Sequence, residues 1–137
     1  MNRNIIAVIT GLVSAIVVFL ITENLNNALH PLPDDVDLKN PTITKVYYLS
    51  LPLSFWLMVL SGWIVGSTLC GYLIRLISKS THKKLPLIAG LILTLSAIAN
   101  FTMLPHPTWF VITGLLIFIP STYIGFDWPA LKKYGFK

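Results

Sequence analysis

Few side chains in this chain can do chemistry, and those few sit near the ends of its apolar runs. Glu23 follows the first run, His30 lies seven residues later against Pro31, and His106 stands between Pro105 and Pro107. One carboxylate and two imidazoles form a ligand set suited to zinc or another divalent transition metal. The same groups could instead relay protons or hold a polar headgroup. Asn27 and Asn100 accompany them as polar support. Each also has a plainer reading. Glu23 marks the water boundary of a span, where a carboxylate costs little compared with bilayer centre. His30 and His106 are turn histidines bonded to backbone or water, and Asn100 is glue between helices. The sequence contains no HExxH, CxxC, Walker loop or nucleophile elbow to specify a reaction. The chain therefore reads as non-enzymatic, an accessory or assembly subunit or a binder of a lipid or small apolar ligand; the alternative is an outer-face metal or proton site at Glu23, His30 and His106 that serves a membrane enzyme or small transporter.

Composition dictates what must position these groups. The 137 residues are 55% hydrophobic and 11% charged, with a mean hydropathy of +0.75. Soluble domains average about 25% charged residues, so less than half that level points to an all-α membrane protein of one domain. Its length suits four antiparallel spans of about twenty residues each. They run over residues 5–22 (extendable to 29), 49–77, 85–104 and 108–126. The first has the basic start and apolar core of a signal peptide. That core is longer than an h-region, however, and no A-x-A-like cleavage site follows, so it reads as a retained helix. Pro31 and Pro33 end any extension past Leu29. An outer loop of about 25 residues follows. Within it Asp34–Pro41 reads as exposed loop and Thr42–Tyr48 as a β-like or interfacial run, with Tyr47 and Tyr48 at headgroup level. Ser78–Lys84 is short, which predicts that the second and third spans are antiparallel neighbours. Pro120 kinks the last span, and Ser121 or Thr122 could meet the carbonyl it releases.

Charge orients the bundle. With both termini inside, eight of the ten basic residues are cytoplasmic (Arg3, Arg75, Lys79, Lys83, Lys84, Lys132, Lys133, Lys137), leaving Lys39 and Lys45 outside. Four of the five acids, Glu23, Asp34, Asp35 and Asp37, are outside. This is the positive-inside pattern. The net charge of +5 arises from lysines at span ends and implies contact with anionic lipid rather than nucleic acid. Arg75 is close enough to the boundary to snorkel. Trp109 and Phe110 at one interface, with Tyr123, Phe126 and Trp128 at the other, read as aromatic belts.

The second span is the packing element. Gly62, Gly66 and Cys70 are spaced by four and put small side chains on one face, which lets a second helix approach closely in lipid. That face could build a homo-oligomer or join a larger membrane complex. Gly11, Ser14 and Ala15 offer a smaller patch on the first span. The lone Cys70 reads as a buried packing residue. The pentapeptide VITGL occurs at Val8–Leu12 and Val111–Leu115, in spans an inverted repeat would not pair, and reads as coincidence.

Two stretches resemble a loose group of small, uncharacterised bacterial four-helix membrane proteins. They are the acidic exit of the first span leading to His30-Pro31, and Pro105-His106-Pro107 followed by Trp109-Phe110. The resemblance implies a bacterial inner membrane and no particular activity. Small multidrug transporters also have four helices, but their coupling glutamate lies within the first span. Glu23 follows about eighteen apolar residues, roughly 27 Å of helix, and so lies at its outer edge.

Overall fold

The computed structural model describes residues 2–34 and 36–134, with side chains through Pro129. The regular elements among them are helices: α1 (Arg3–Leu29), α2 (Pro41–Ser50), α3 (Leu53–Ser78), α4 (Lys84–Met103) and α5 (Thr108–Tyr134). Four of them, α1, α3, α4 and α5 as far as Pro129, are long and apolar enough to cross a membrane. The 20 residues of α4 make about 30 Å of helix, the thickness of a hydrocarbon core. Outward faces carry exposed Ile, Leu and Val, from Ile5 to Leu25 on α1 and from Leu87 to Ile98 on α4. So much exposed apolar surface is a liability in water and the ordinary solvated face in lipid. Asp35 and Lys137, both counted in the charge asymmetry, lie outside the described residues, as do the side chains of Lys132 and Lys133.

Local chemistry sets the helix ends. Asn2 caps α1 by accepting from the Asn4 amide at 3.4 Å, and the helix runs to Leu29, as the longer of the two expected limits allowed. Its 27 residues span about 40 Å, so its last turns, from Glu23 onward, reach past a hydrocarbon core. The run Thr42–Tyr48, expected to be β-like, is helical instead. Asn40 accepts from the amides of Thr42 and Ile43 at 3.0 and 3.4 Å, and Pro41 opens α2. Asn followed by Pro is a helix-start signal, which outweighs the β preference of Thr42, Ile43, Thr44 and Val46. Leu51 is extended (ψ 140°) before Pro52, since proline disfavours a helical residue ahead of it. The second span therefore begins at Leu53 rather than Leu49. It ends at Lys79, whose φ of 53° is left-handed.

The helix α3 is the hub, packing mainly on α1 and α5, while α4 packs mainly on α5. The second and third spans, expected to be antiparallel neighbours, do touch, but lightly. They are antiparallel, but α4 is drawn to α5, where Gly90 lies against Ile119 and Thr122. The Gly62/Gly66/Cys70 face is also reassigned. A Cβ on Gly62 would press on Thr22, one on Gly66 would press on Phe19, and Gly11 lies against Cys70. That face therefore receives α1 of the same chain and is not open to a second copy. The physical reason is the matching stripe Ala7, Gly11 and Ala15, buried at the same spacing of four. On its other side α3 meets α5, to which it is parallel, through Gly71 and Gly125. Each of these glycines lies against the backbone of the other helix.

Two further expectations change. Thr122 Oγ1 donates to Ile119 O at 2.8 Å and to Pro86 O of α4 at 3.1 Å, so it ties two helices together instead of meeting the carbonyl that Pro120 releases. Trp109 and Trp128 are 41% and 49% exposed, as belt residues should be, but Phe110 and Phe126 are fully buried. Phe110 is one step from Trp109 and Phe126 two steps from Trp128, turns of about 100° and about 200° that carry these rings into the core.

Among the described residues Arg3, Arg75, Lys79, Lys83 and Lys84 gather at one end of the bundle. Arg3 Nε donates to Ile77 O at 2.6 Å, satisfying a carbonyl at the end of α3. Arg75, expected to snorkel, donates to Ser80 O at 2.6 Å and stands 5.1 Å over the Phe126 ring. Lys83 pairs with Asp127.

Candidate functional site

The opposite end of the bundle holds a cavity of about 130 Å³ between α1, α3, α4 and α5, with Tyr48 of α2 at its edge. Its aromatic wall is built by Phe19, Tyr48, Phe55, Trp56, Trp63 and Phe110. Trp56 and Trp63 lie 4.8 and 5.2 Å from Phe110, ring centre to ring centre. Both indoles come from α3, seven residues apart and hence on one face. The polar lining comes from Thr22, Glu23, Asn26 and Asn27 of α1, Asn100 of α4 and His106 of the hairpin that precedes α5.

The structure thus brings four of the five expected polar residues, Glu23, Asn27, Asn100 and His106, to one cavity. His30 is turned aside. Its Nδ1 lies 3.1 Å from Asn26 Oδ1 and 3.2 Å from Asn26 O, and its Nε2 lies 3.2 Å from Ser54 Oγ. Both oxygens at Nδ1 are acceptors, so Nδ1 carries the proton and Nε2 accepts from Ser54. Asn26 is itself 1% exposed and donates from Nδ2 to Phe55 O at 3.2 Å. The set Asn26, His30, Ser54 and Phe55 clips the exit of α1 to the entry of α3. Among the described residues no three His, Cys, Asp or Glu stand together as a group able to hold a metal ion.

His106 sits in a different setting. Its ring stacks on Phe110 at 5.4 Å with the planes 9° apart, and Nδ1 bonds Leu104 O at 2.6 Å. Nδ1 therefore holds the proton and Nε2 the lone pair. Burial holds this imidazole below its ordinary value near 6.5, against the opposing pull of the Leu104 bond. Glu23 is exposed at the rim, close enough to contribute, after burial and Tyr47, to raising the Tyr48 phenol above 10.0. Among the described residues the only ion pair is Lys83–Asp127, at the far end, and none of these residues pairs with Glu23.

Asn26 is the site residue that sequence reasoning missed in favour of its neighbour Asn27. A signal was present: Asn26 continues the stripe Ala7, Gly11, Ala15 and Thr22 at steps of four and seven, on the face α1 turns to α3. The cavity's lining combines aromatic faces, side-chain amides, one imidazole and one carboxylate. Comparison with known families, with curated proteins and with solved structures gives no match.

Proposed function

We propose that this chain is a four-span protein of a bacterial inner membrane, with both termini cytoplasmic, that binds a small ligand non-enzymatically in the aromatic cavity at its outer end. The observation that carries the reading is the cavity itself. An apolar wall with a few convergent polar groups is the usual make-up of a small-molecule site. A dry cavity of about 150 Å³ admits benzene, so about 130 Å³ suits a ligand or headgroup of roughly six non-hydrogen atoms. The clustering of basic residues at the other end supports the orientation.

Trp56 and Trp63 make the cavity self-reporting. Titration of detergent-solubilised protein with benzene should change their emission saturably, and Val59→Trp, which fills the space, should abolish the saturable part. Linear partitioning that is identical in the two proteins would sink the reading. In a Cys70→Ala background, Asp37→Cys should label on intact cells and Lys84→Cys only after permeabilisation; the reverse pattern would invert the topology.

A second reading makes Glu23, His30 and His106 a metal or proton site of a membrane enzyme or small transporter. In its favour, Glu23 and His106 line the same cavity. Elemental analysis of untagged protein purified without chelator should then find about one zinc per chain, lost in His106→Ala. Metal-free protein whose function ignores both His30→Ala and His106→Ala ends that reading.

A further inference from the structure

We infer that the cavity's ligand is a small organic ammonium ion; this rests on the ligand-binding reading above and names the chemistry it selects. Among the described residues Glu23 is the only lining one with a formal charge, since no described lysine or arginine borders the space. A carboxylate facing a partly enclosed apolar space attracts a cation and repels an anion. The aromatic wall acts in the same direction, because the face of an indole or phenyl ring is the negative end of its quadrupole and holds ammonium groups well. Phe19, Tyr48, Phe55 and Trp63 are the lining rings that keep part of their surface open, with Trp56 and Phe110 buried against Phe55 and Trp63. Among the described residues the cations that stand over aromatic rings do so at the basic end, Arg75 over Phe126 and Lys83 beside Tyr123 and Phe126, while Lys39 and Lys45, on the cavity's side of the bundle, do not line it. Asn27 and Asn100 add amide oxygens that can accept from an N–H or polarised C–H. A neutral apolar guest would gain the ring contacts but lose the carboxylate. An anion would lose both.

Two sources could supply this group, a free amine or the ammonium headgroup of a membrane lipid. The test uses protein in nanodiscs of phosphatidylglycerol alone, with choline as probe. The comparison compound is its neutral carbon isostere, in which a quaternary carbon replaces the nitrogen. Choline should bind at least about tenfold tighter than the isostere, and Glu23→Gln, a change at an exposed rim carboxylate that leaves the fold intact, should erase the difference. Adding phosphatidylethanolamine to the discs should weaken choline binding if the natural occupant is a headgroup, and leave it unchanged if it is a free amine; both results uphold the inference. Equal binding of choline and isostere, indifferent to Glu23→Gln, would overturn the cation assignment while leaving the cavity a ligand site. Binding of neither would overturn both.

Discussion

The α3–α5 crossing gives the sharpest test of how this bundle holds together. A Cβ added at Gly125 would overlap Thr68 O and would stand 2.7 Å from the Thr68 carbonyl carbon and 2.9 Å from Tyr72 N. Ordinary contact begins at 3.4 Å, so the carbonyl carbon alone demands a shift of 0.7 Å (3.4 less 2.7). All three atoms belong to backbone, so no rotamer change relieves the clash and the two helices must part. A gap of about 0.5–1 Å forfeits a quarter to a half of each dispersion contact along the seam, and overpacking of this kind costs about 1–3 kcal/mol. Gly125→Ala should therefore destabilise by about 3 kcal/mol, at the upper end of that range. Gly71→Ala should match it, because its Cβ meets the Thr122 carbonyl and Phe126 N in the mirror arrangement. Gly114→Ala is the control. Its nearest atoms are Cζ of Phe101 and Cζ3 of Trp63, both at 2.9 Å and both in side-chain rings rather than backbone. Those rings can give by a few tenths of an ångström, at a cost of about 1 kcal/mol, the low end of overpacking. The assay is equilibrium unfolding in mixed micelles, followed by Trp emission and helicity. If Gly114→Ala proves as damaging as Gly125→Ala, or if neither Gly71→Ala nor Gly125→Ala costs more than about 1 kcal/mol, the backbone-to-backbone crossing is wrong.

Other consequences follow from the cavity end. Asn26→Ala removes the bond to Phe55 O and one of the two acceptors at His30 Nδ1. Interhelical hydrogen bonds in membranes average about 0.6 kcal/mol, so a loss of about 1–2 kcal/mol is expected; Asn27→Ala, at an exposed position, should cost less than half of that, and equal losses would contradict the clip. His106 supplies a pH dependence. Its folded value lies below the unfolded value of 6.5, so between the two the unfolded chain binds more protons. Stability should be full above about pH 6.5 and fall as pH drops below it. Comparing unfolding at about pH 8 and about pH 5, His106→Gln should show a shallower decline than the wild type; identical slopes would remove His106 as the cause.

Much of this molecule is legible in one dimension. Four spans, the length of the polar loop and the gathering of basic residues at one end follow from hydropathy, length and charge, which are properties of local stretches. So does the small-residue face at Gly62, Gly66 and Cys70, because spacing along one helix needs no partner to define it. What covers that face was not legible, since two stripes of small residues only announce that each can be approached closely. The structure joined the α3 stripe to α1 and left α3 and α5 to cross at Gly71 and Gly125. Helix rotation decided the rest. Asn26 is buried and Asn27 exposed, Phe110 buried and Trp109 exposed, each pair one residue apart. Sequence placed Glu23, Asn27, His30, Asn100 and His106 in one layer, because depth in a span is a count of residues. Which of them share a cavity depends on lateral order and on where each helix turns its faces. Only the packed bundle settles that, sending His30 to Asn26 and Ser54 and leaving Glu23 and His106 beside the aromatic wall.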